Sequence, residues 1–335
     1  MKDVSIIIVN YNTYKYTINC IKSIIENSYG LDIEIIVIDN GSREFNLEEI
    51  KKMSKMIFVT RNDNNEGFSS ANNKGIQLST GKYILLLNND TIILPNTLQL
   101  AKSYMDQNPL VGILGCKLLN PDYTLQPSIV NYPRVFNDLL KLCIPEFFRK
   151  NTPKKRAFIS NHLKPLTKIG LGLFYNANDI TYVEIVVGAF MFTRREALNE
   201  IGLLDEGFFF MVEEADWCYR FMKNGWKICY FPAAKIIHYG GAALNQEFPG
   251  KYFVQMYKSR LYYYQKHLSK ANSYLFIFGV STILFIKVLL MIAILPVFDD
   301  QKKKKQISKL NTYKRTIKML IKPSIRKMNV LENDF

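Results

Sequence analysis

Up to about Asn120 the chain alternates short apolar runs with helix-length stretches. Val4 to Val9, Ile33 to Ile38, Ile57 to Val59 and Tyr83 to Leu87 are short and almost wholly apolar. That is the pattern of strands buried on both faces of a parallel sheet. Polar turns follow them: Asn10-Tyr11-Asn12-Thr13, Asp39-Asn40-Gly41-Ser42, Asn64-Asn65-Glu66-Gly67 and Asn88-Asn89-Asp90. Thr13 is placed to cap a helix running through Asn27, Phe68 to Ser79 reads as a helix closed by Gly81, and Pro95 opens another helical pattern. Strands alternating with helices in this way predict a doubly wound α/β sheet with right-handed crossovers.

Leu110 to Asn120 begins a further strand. Pro121 to about Tyr182 is irregular and punctuated by Pro127, Pro133, Pro145, Pro153 and Pro165, which reads as an insertion off the sheet. Its Lys154-Lys155-Arg156 cluster and His162 read as solvated loop. Val183 to Thr193 is strand-like around Gly188-Ala189, a helix starts near Glu213, and Lys235 to His238 is a short strand. Phe248 to His267 is an aromatic and basic helix. Tyr274 to Phe298 is apolar except for Lys287, and at about 1.5 Å per residue it could cross a hydrocarbon core of about 30 Å.

Charge changes the picture at the end of the chain. The 335 residues carry a net charge of +15. Eleven Lys/Arg follow Gln301, opposed there only by Glu332 and Asp334. Among them Ile307, Leu310, Tyr313, Ile317, Leu320, Ile321, Ile325 and Met328 recur at steps of three and four, with Pro323 interrupting. This is the pattern of a basic amphipathic helix on an anionic membrane surface. Lacking any nucleic-acid motif, the chain is not expected to bind nucleic acid. Five scattered cysteines without zinc spacing fit a reducing compartment. Met1-Lys2-Asp3 leads straight into the first strand, so no signal peptide is expected.

Two strand ends deliver carboxylates, Asp39 and Asp90, to one edge of the expected sheet. There a carboxylate can bond a ribose or base, or hold a metal against phosphates. No G-x-G-x-x-G follows the first strand, which argues against a nicotinamide dinucleotide. On a helix, Glu213 and Asp216 share one face near its N-terminus, where acids also complement the macrodipole.

SIIIVNYNT (Ser5 to Thr13), VIDNGS (Val37 to Ser42), NNEGFSSANNKGI (Asn64 to Ile76) and GKYILLLNNDTIILP (Gly81 to Pro95) together resemble the nucleotide-binding half of family 2 glycosyltransferases, nearest to the bacterial rhamnosyltransferase group. The resemblance implies the GT-A fold: one nucleotide-sugar-binding domain over residues 1–245, with a nucleotide-sugar half at 1–120 and an acceptor and catalytic half at 121–245. A helical, membrane-associated region would follow at 246–335. It further implies that Tyr11 and Asn12 line the base pocket and that Asp39 bonds the pyrimidine or its ribose. Asn72 and Lys74 would lie near the nucleotide, and Asn88 and Asn89 toward the sugar. Asp90 matches the last acid of the family's Asp-x-Asp metal motif, whose first acid is Asn88 here, and His238 would complete the site for Mn2+ or Mg2+. The Glu-Asp-x-Asp motif puts the catalytic base at Glu214, one methylene longer than the family's Asp, with Glu213 and Asp216 as alternatives.

The activity so implied is inverting transfer of a sugar, rhamnose from dTDP-rhamnose, to a polyprenyl-linked glycan at the cytoplasmic face of the membrane. The alternatives are a UDP-sugar donor (hexose or galactofuranose) or a non-catalytic nucleotide-sugar-binding scaffold. A single crossing at 274–298 would put the eleven Lys/Arg outside, against the positive-inside rule. The segment is therefore expected to dip in and return, bending near Lys287, or to lie partly embedded.

Overall fold

The computed structural model describes residues 1–144, 177–240 and 249–322. It divides into two compact units. The first holds residues 1–132, 177–209 and 213–240, and the second residues 133–144, 210–212 and 249–322. The Lys154-Lys155-Arg156 cluster, His162 and the pattern beyond Pro323 lie outside the described residues.

The first unit is a mixed sheet flanked by helices. Its elements, in order, are β1 (Val4–Asn10), α1 (Tyr14–Asn27), β2 (Ile33–Asp39), α2 (Leu47–Met53), β3 (Ile57–Arg61), α3 (Phe68–Leu78), β4 (Tyr83–Asn88), β5 (Thr91–Ile93), α4 (Thr97–Gln107), β6 (Val111–Leu119) and β7 (Ile129–Val130). After α5 of the second unit come β8 (Thr181–Tyr182), β9 (Ile185–Val186), β10 (Phe190–Arg194), α6 (Arg195–Ile201), α7 (Glu213–Lys223) and β11 (Lys227–His238). The strand order is β3-β2-β1-β4-β10-β6-β11-β5, with β8 on β11. The first four strands are parallel, and β10 runs antiparallel to both β4 and β6. Ile6, Ile8, Ile35, Val37, Leu85 and Phe192 are fully buried. Each such side chain contributes about 1.5–3 kcal/mol.

Several boundaries differ from the sequence reading. Val183 to Thr193 is not one strand: Gly188 lies in a turn between β9, which pairs with β7 in a separate ribbon, and β10 of the main sheet. The glycine lets the chain switch sheets. The strand ending at His238 begins at Lys227 and slips register between Phe231 and Lys235, across Pro232, which cannot donate to the ladder. Thr13 precedes α1 without capping it through its side chain, because its hydroxyl faces Asn10 and accepts from Asn89. Ser79 rather than Gly81 ends α3; Gly81 lies where a Cβ would meet the Ser5 backbone. The sequence reading did not anticipate α2, which is capped by Asn46 accepting from the Glu49 amide.

The second unit packs α5 (Val135–Cys143), α8 (Pro249–His267), α9 (Lys270–Ile294) and α10 (Asp300–Ile321) together, with Leu295–Val297 as a short 3-10 turn before α10. Asp138 of α5 pairs with Arg260 and accepts from Tyr264 Oη, both on α8. Tyr257 and Tyr264 stack around Phe276 of α9. α9 runs as one unbroken helix through Lys287 rather than turning back there. The Lys287 ammonium donates to the Leu142 carbonyl, in the last turn of α5, where a helix end welcomes a cation. α10 folds back on α9 and α8, burying Leu310, Tyr313, Thr316 and Leu320. One face of α9 is buried through Phe276, Val280, Leu284 and Val288, while Phe278, Phe285, Ile286, Leu289 and Leu290 stay exposed.

Candidate active site

The parallel register brings strand ends to one level. Asn10 pairs with Asp39, Asp39 with Arg61, and Val9 with Asn88. Their turns therefore share the carboxyl edge at which open α/β sheets bind ligands. Asp39 is fully buried there. Its Oδ1 accepts from Asn10 Nδ2 at 2.8 Å and from Ser42 Oγ, and its Oδ2 faces Ser42 N at 3.3 Å and Arg61 Nε at 3.2 Å. Four donors fill a carboxylate's capacity. The half-exposed Arg61 guanidinium is what this cluster offers to solvent. Asn12, at φ +54°, donates its amide to Ser42 Oγ and accepts from the Arg43 amide, both at 2.9 Å, with Tyr11 half-buried beside it.

On α3, Asn72 turns back to its own helix, donating to the Phe68 carbonyl at 2.8 Å, and Lys74 donates to Asn62 Oδ1. Asn73, which the sequence reading passed over, clamps the Leu204 carbonyl and amide at 2.9 and 3.0 Å. It thereby fixes the loop that leads toward α7.

Asn89 and Asp90 form the turn from β4 to β5. The Asn89 amide points back to α1, donating to Thr13 Oγ1 at 2.6 Å and Thr17 Oγ1 at 2.8 Å. Among the described residues the Asn88 side-chain amide makes no hydrogen bond, which leaves it available to a ligand. β11 pairs antiparallel with β5, setting His238 opposite Thr91, and the Tyr239 amide donates to the Asp90 carbonyl at 2.9 Å. This places His238 Nε2 at 3.3 Å from Asp90 Oδ1, with both residues buried.

A divalent cation is the group that the strand-end acid implies. His238 Nε2 is buried without a hydrogen-bond partner and faces a carboxylate oxygen, a donor set of one imidazole nitrogen and one carboxylate. That set fits a cation whose remaining positions are taken by phosphate oxygens and water. Among the described residues no group of three or more His, Cys, Asp or Glu could hold a metal by itself.

The three acids of α7 meet three different environments. Asp216 is fully buried and bonds Arg220 Nε at 2.9 Å, while the other Arg220 nitrogens hold the Ile201 and Leu203 carbonyls. Glu213 is buried with Oε2 unpartnered, and burial, then the charge of Glu214, push its carboxyl well above the usual carboxylate range. Glu214 is half-buried, and its Cβ lies 3.8 Å from where a Cβ on Gly188 would stand. The neighbouring Ala189 carbonyl accepts the Asn88 amide at 3.1 Å. The Gly188–Ala189 step is thus bonded to the end of β4 through Ala189 and lies near Glu214 through Gly188. Met211 and Val212, just before α7, both hold positive φ (+67° and +73°), strain of about 1–3 kcal/mol each.

Besides Asn73, two further organising residues were missed by the sequence reading. Asn10 Oδ1 gathers Thr17 Oγ1 and Asn89 Nδ2 while its amide serves Asp39 and Ser42. Gln126 Oε1 lies 2.7 Å from His238 Nδ1. Asn10 had a signal in the sequence, a polar residue closing an apolar strand. Gln126 had none, since it is 112 positions from its partner.

Residues 5–202 match the family described as Glycosyl transferase family 2. An uncharacterized glycosyltransferase of Haemophilus influenzae is 35% identical over 118 residues, 34% of this chain and 36% of that protein. The N-acetylglucosaminyl-diphospho-decaprenol L-rhamnosyltransferase of Mycobacterium tuberculosis is 21% identical over 238 residues, 68% of this chain and 73% of that one. Relatives are thus spanned unequally, from about a third of the Haemophilus protein to nearly three quarters of the mycobacterial one. Among solved structures, GalNAc-T7 with UDP, GalNAc and Mn2+ superposes with a TM-score of 0.52 at 15% identity, over 79% of this chain and 50% of that chain. That likeness is one of fold and agrees with the expected GT-A architecture. With more than half its length inside the family's pattern, on the family's fold, the chain belongs to glycosyltransferase family 2.

Proposed function

We propose that the chain is an inverting glycosyltransferase that moves rhamnose from dTDP-rhamnose to a polyprenyl-diphosphate-linked glycan at the cytoplasmic membrane face. The observation that carries this reading is the buried Asp90–His238 pair at the end of β4, with Glu214 lying near Gly188, whose neighbour Ala189 is bonded to that strand end. The choice of rhamnose and of a polyprenyl acceptor is supported by the mycobacterial relative, whose name specifies both a decaprenol-linked acceptor and L-rhamnose.

Tyr11 and Asn12 bracket the base, and Arg61 and Ser42 present the Asp39 cluster to the nucleotide, since the Asp39 oxygens are already engaged. Lys74 and Asn72 stiffen the α3 side of this pocket. Asn88 reaches the sugar, and Asn89 holds the turn to α1. Asp90 and His238 would hold a divalent cation, Mn2+ being favoured over Mg2+ by the imidazole nitrogen. When bound, it supplies Lewis-acid neutralisation of the departing nucleoside diphosphate. The Mn2+ in the GalNAc-T7 crystal structure supports this assignment.

Glu214 accepts the proton of the acceptor hydroxyl. The acceptor oxygen bonds the anomeric carbon as the bond to the diphosphate oxygen breaks, and the diphosphate leaves with the electron pair. Asp216 is bound to Arg220 and shapes the helix; Glu213 is buried, and burial, then the Glu214 charge, disfavour its ionised form. Glu214 alone of the three combines exposure with proximity to Gly188. The exposed face of α9 and the lysines of α10 support attachment to an anionic bilayer.

A donor panel tests the reading. Purified protein with Mn2+ and a short-chain polyprenyl-diphosphate N-acetylglucosamine is offered dTDP-rhamnose, UDP-glucose, UDP-galactose and UDP-galactofuranose, and products are weighed by mass spectrometry. A mass increase of one deoxyhexose from dTDP-rhamnose alone is expected. Transfer only from a UDP-sugar would replace the donor, and binding without transfer from any donor would favour a non-catalytic scaffold.

A further inference from the structure

His238 sits at the end of a directed chain of hydrogen bonds that begins at an exposed carboxylate. Asp122, in the turn after β6, accepts the Thr124 hydroxyl proton at 2.6 Å and the Thr124 amide at 3.0 Å. These bonds, the hydroxyl's first, hold its carboxyl below the usual range, so Asp122 accepts and never donates. With its proton spent there, Thr124 Oγ1 must accept, and it does so from Asn120 Nδ2 at 2.9 Å. Asn120 is thereby oriented with its carbonyl oxygen toward Gln126, whose Nε2 donates to Asn120 Oδ1 at 3.1 Å and to the His238 carbonyl at 3.2 Å. Both partners of Gln126 Nε2 are oxygens, so the Gln126 amide cannot be turned around. Its Oε1 faces His238 Nδ1 at 2.7 Å and accepts. In the neutral form of the ring, Nδ1 therefore carries the proton and the lone pair is on Nε2, which faces Asp90 at 3.3 Å.

We propose that Gln126 is a positioning residue. It carries the polarity of the Asp122–Thr124–Asn120 chain to His238 and fixes the tautomer that presents Nε2 to the cation shared with Asp90. The inference about the tautomer stands on hydrogen bonds alone; the consequence for a cation rests on the metal reading above. The backbone supports the role. The Gln126 amide donates to the Leu118 carbonyl at 2.9 Å, and its carbonyl accepts from Ser128 Oγ at 3.1 Å, so the residue is anchored on both sides of its side chain. Gly240 lies where a Cβ would stand 3.3 Å from Gln126 Nε2, so the end of β11 closes over the amide. Partners that orient a ligating histidine typically change metal affinity about 10–100-fold when removed.

Two measurements test the proposal. The chain has three histidines, so selective 15N labelling with His238→Gln as the assignment control isolates one ring. Long-range proton–nitrogen correlation without metal should show His238 with a protonated Nδ1 and a lone-pair Nε2. In Gln126→Leu, and in the exposed-site variant Thr124→Val, that pattern should give way to a tautomer mixture. In parallel, free Mn2+ is titrated by electron paramagnetic resonance in the presence of dTDP. Gln126→Leu should bind Mn2+ about 10–100-fold more weakly than wild type. A wild-type ring protonated at Nε2, or Mn2+ affinity unchanged in Gln126→Leu, overturns the proposal. Correct tautomers with no Mn2+ binding by the wild type would leave the relay standing and sink the metal reading instead.

Discussion

Among residues, the three acids of α7 divide by environment rather than by sequence spacing. Glu213 shows the effect most clearly, because burial and the Glu214 charge raise its carboxyl pKa. An unfolded Glu titrates near about 4.3. Above that pH the unfolded chain releases a proton that the folded chain keeps. Glu213 thus contributes its full stability below the unfolded value, and the contribution declines as pH rises toward the folded one, by at most about 1.4 kcal/mol per pH unit. Glu213→Gln should remove that decline. Urea denaturation at pH 5 and pH 8 should find the variant's advantage over wild type larger at pH 8. An equal difference at both values would mean that Glu213 is ionised in the folded protein. Glu213, Glu214 and Asp216 were all visible in the sequence. What spacing could not separate was their burial, which depends on α6 and on Gly188, far away in the chain.

At the level of elements, β1 and α3 are pressed so closely together that propensity and packing disagree in sign. Gly75 lies inside α3, where alanine would ordinarily gain about 1 kcal/mol. A Cβ there would stand 2.4 Å from Ile7 Cγ2, a fully buried branched side chain with nowhere to move. Overpacking of this kind costs about 1–3 kcal/mol. Gly75→Ala should therefore lower the denaturation midpoint; a raised midpoint would show that α3 can lift from the strand. The parallel half of this sheet was legible because strands buried on both faces read as unbroken apolar runs. β10 was blurred because its turn at Gly188 lies inside an apolar stretch, and β11 was truncated because Pro232 interrupts it. Asn73 was hidden as an organiser, since nothing local distinguishes a buried amide from an exposed one, while Asn10 was marked only as the polar end of an apolar strand. Gln126 was hidden for a further reason: its meaning lies in a chain of donors and acceptors that only the folded turn assembles.

For the whole molecule, attachment and catalysis are separable claims. α10 folds back on α9 while carrying Lys302, Lys303, Lys304, Lys305 and Lys309, so α9 is expected to lie at the membrane surface with its exposed apolar face inward. Near an anionic surface each lysine is worth about 1 kcal/mol. Lys304→Gln with Lys305→Gln should therefore weaken binding to phosphatidylglycerol vesicles about 30-fold, and Phe285→Ser with Leu289→Ser should weaken binding even to neutral vesicles. Co-sedimentation unaffected by either pair would remove this surface from the account. The proposed catalysis rests on Glu214, and one comparison tests it most directly. Single-turnover transfer and dTDP-rhamnose affinity are measured on the same preparations of wild type and Glu214→Gln. The account predicts that the variant transfers at least about 10²-fold more slowly with donor affinity unchanged, because only the proton acceptor is lost. Transfer at the wild-type rate in Glu214→Gln would contradict it.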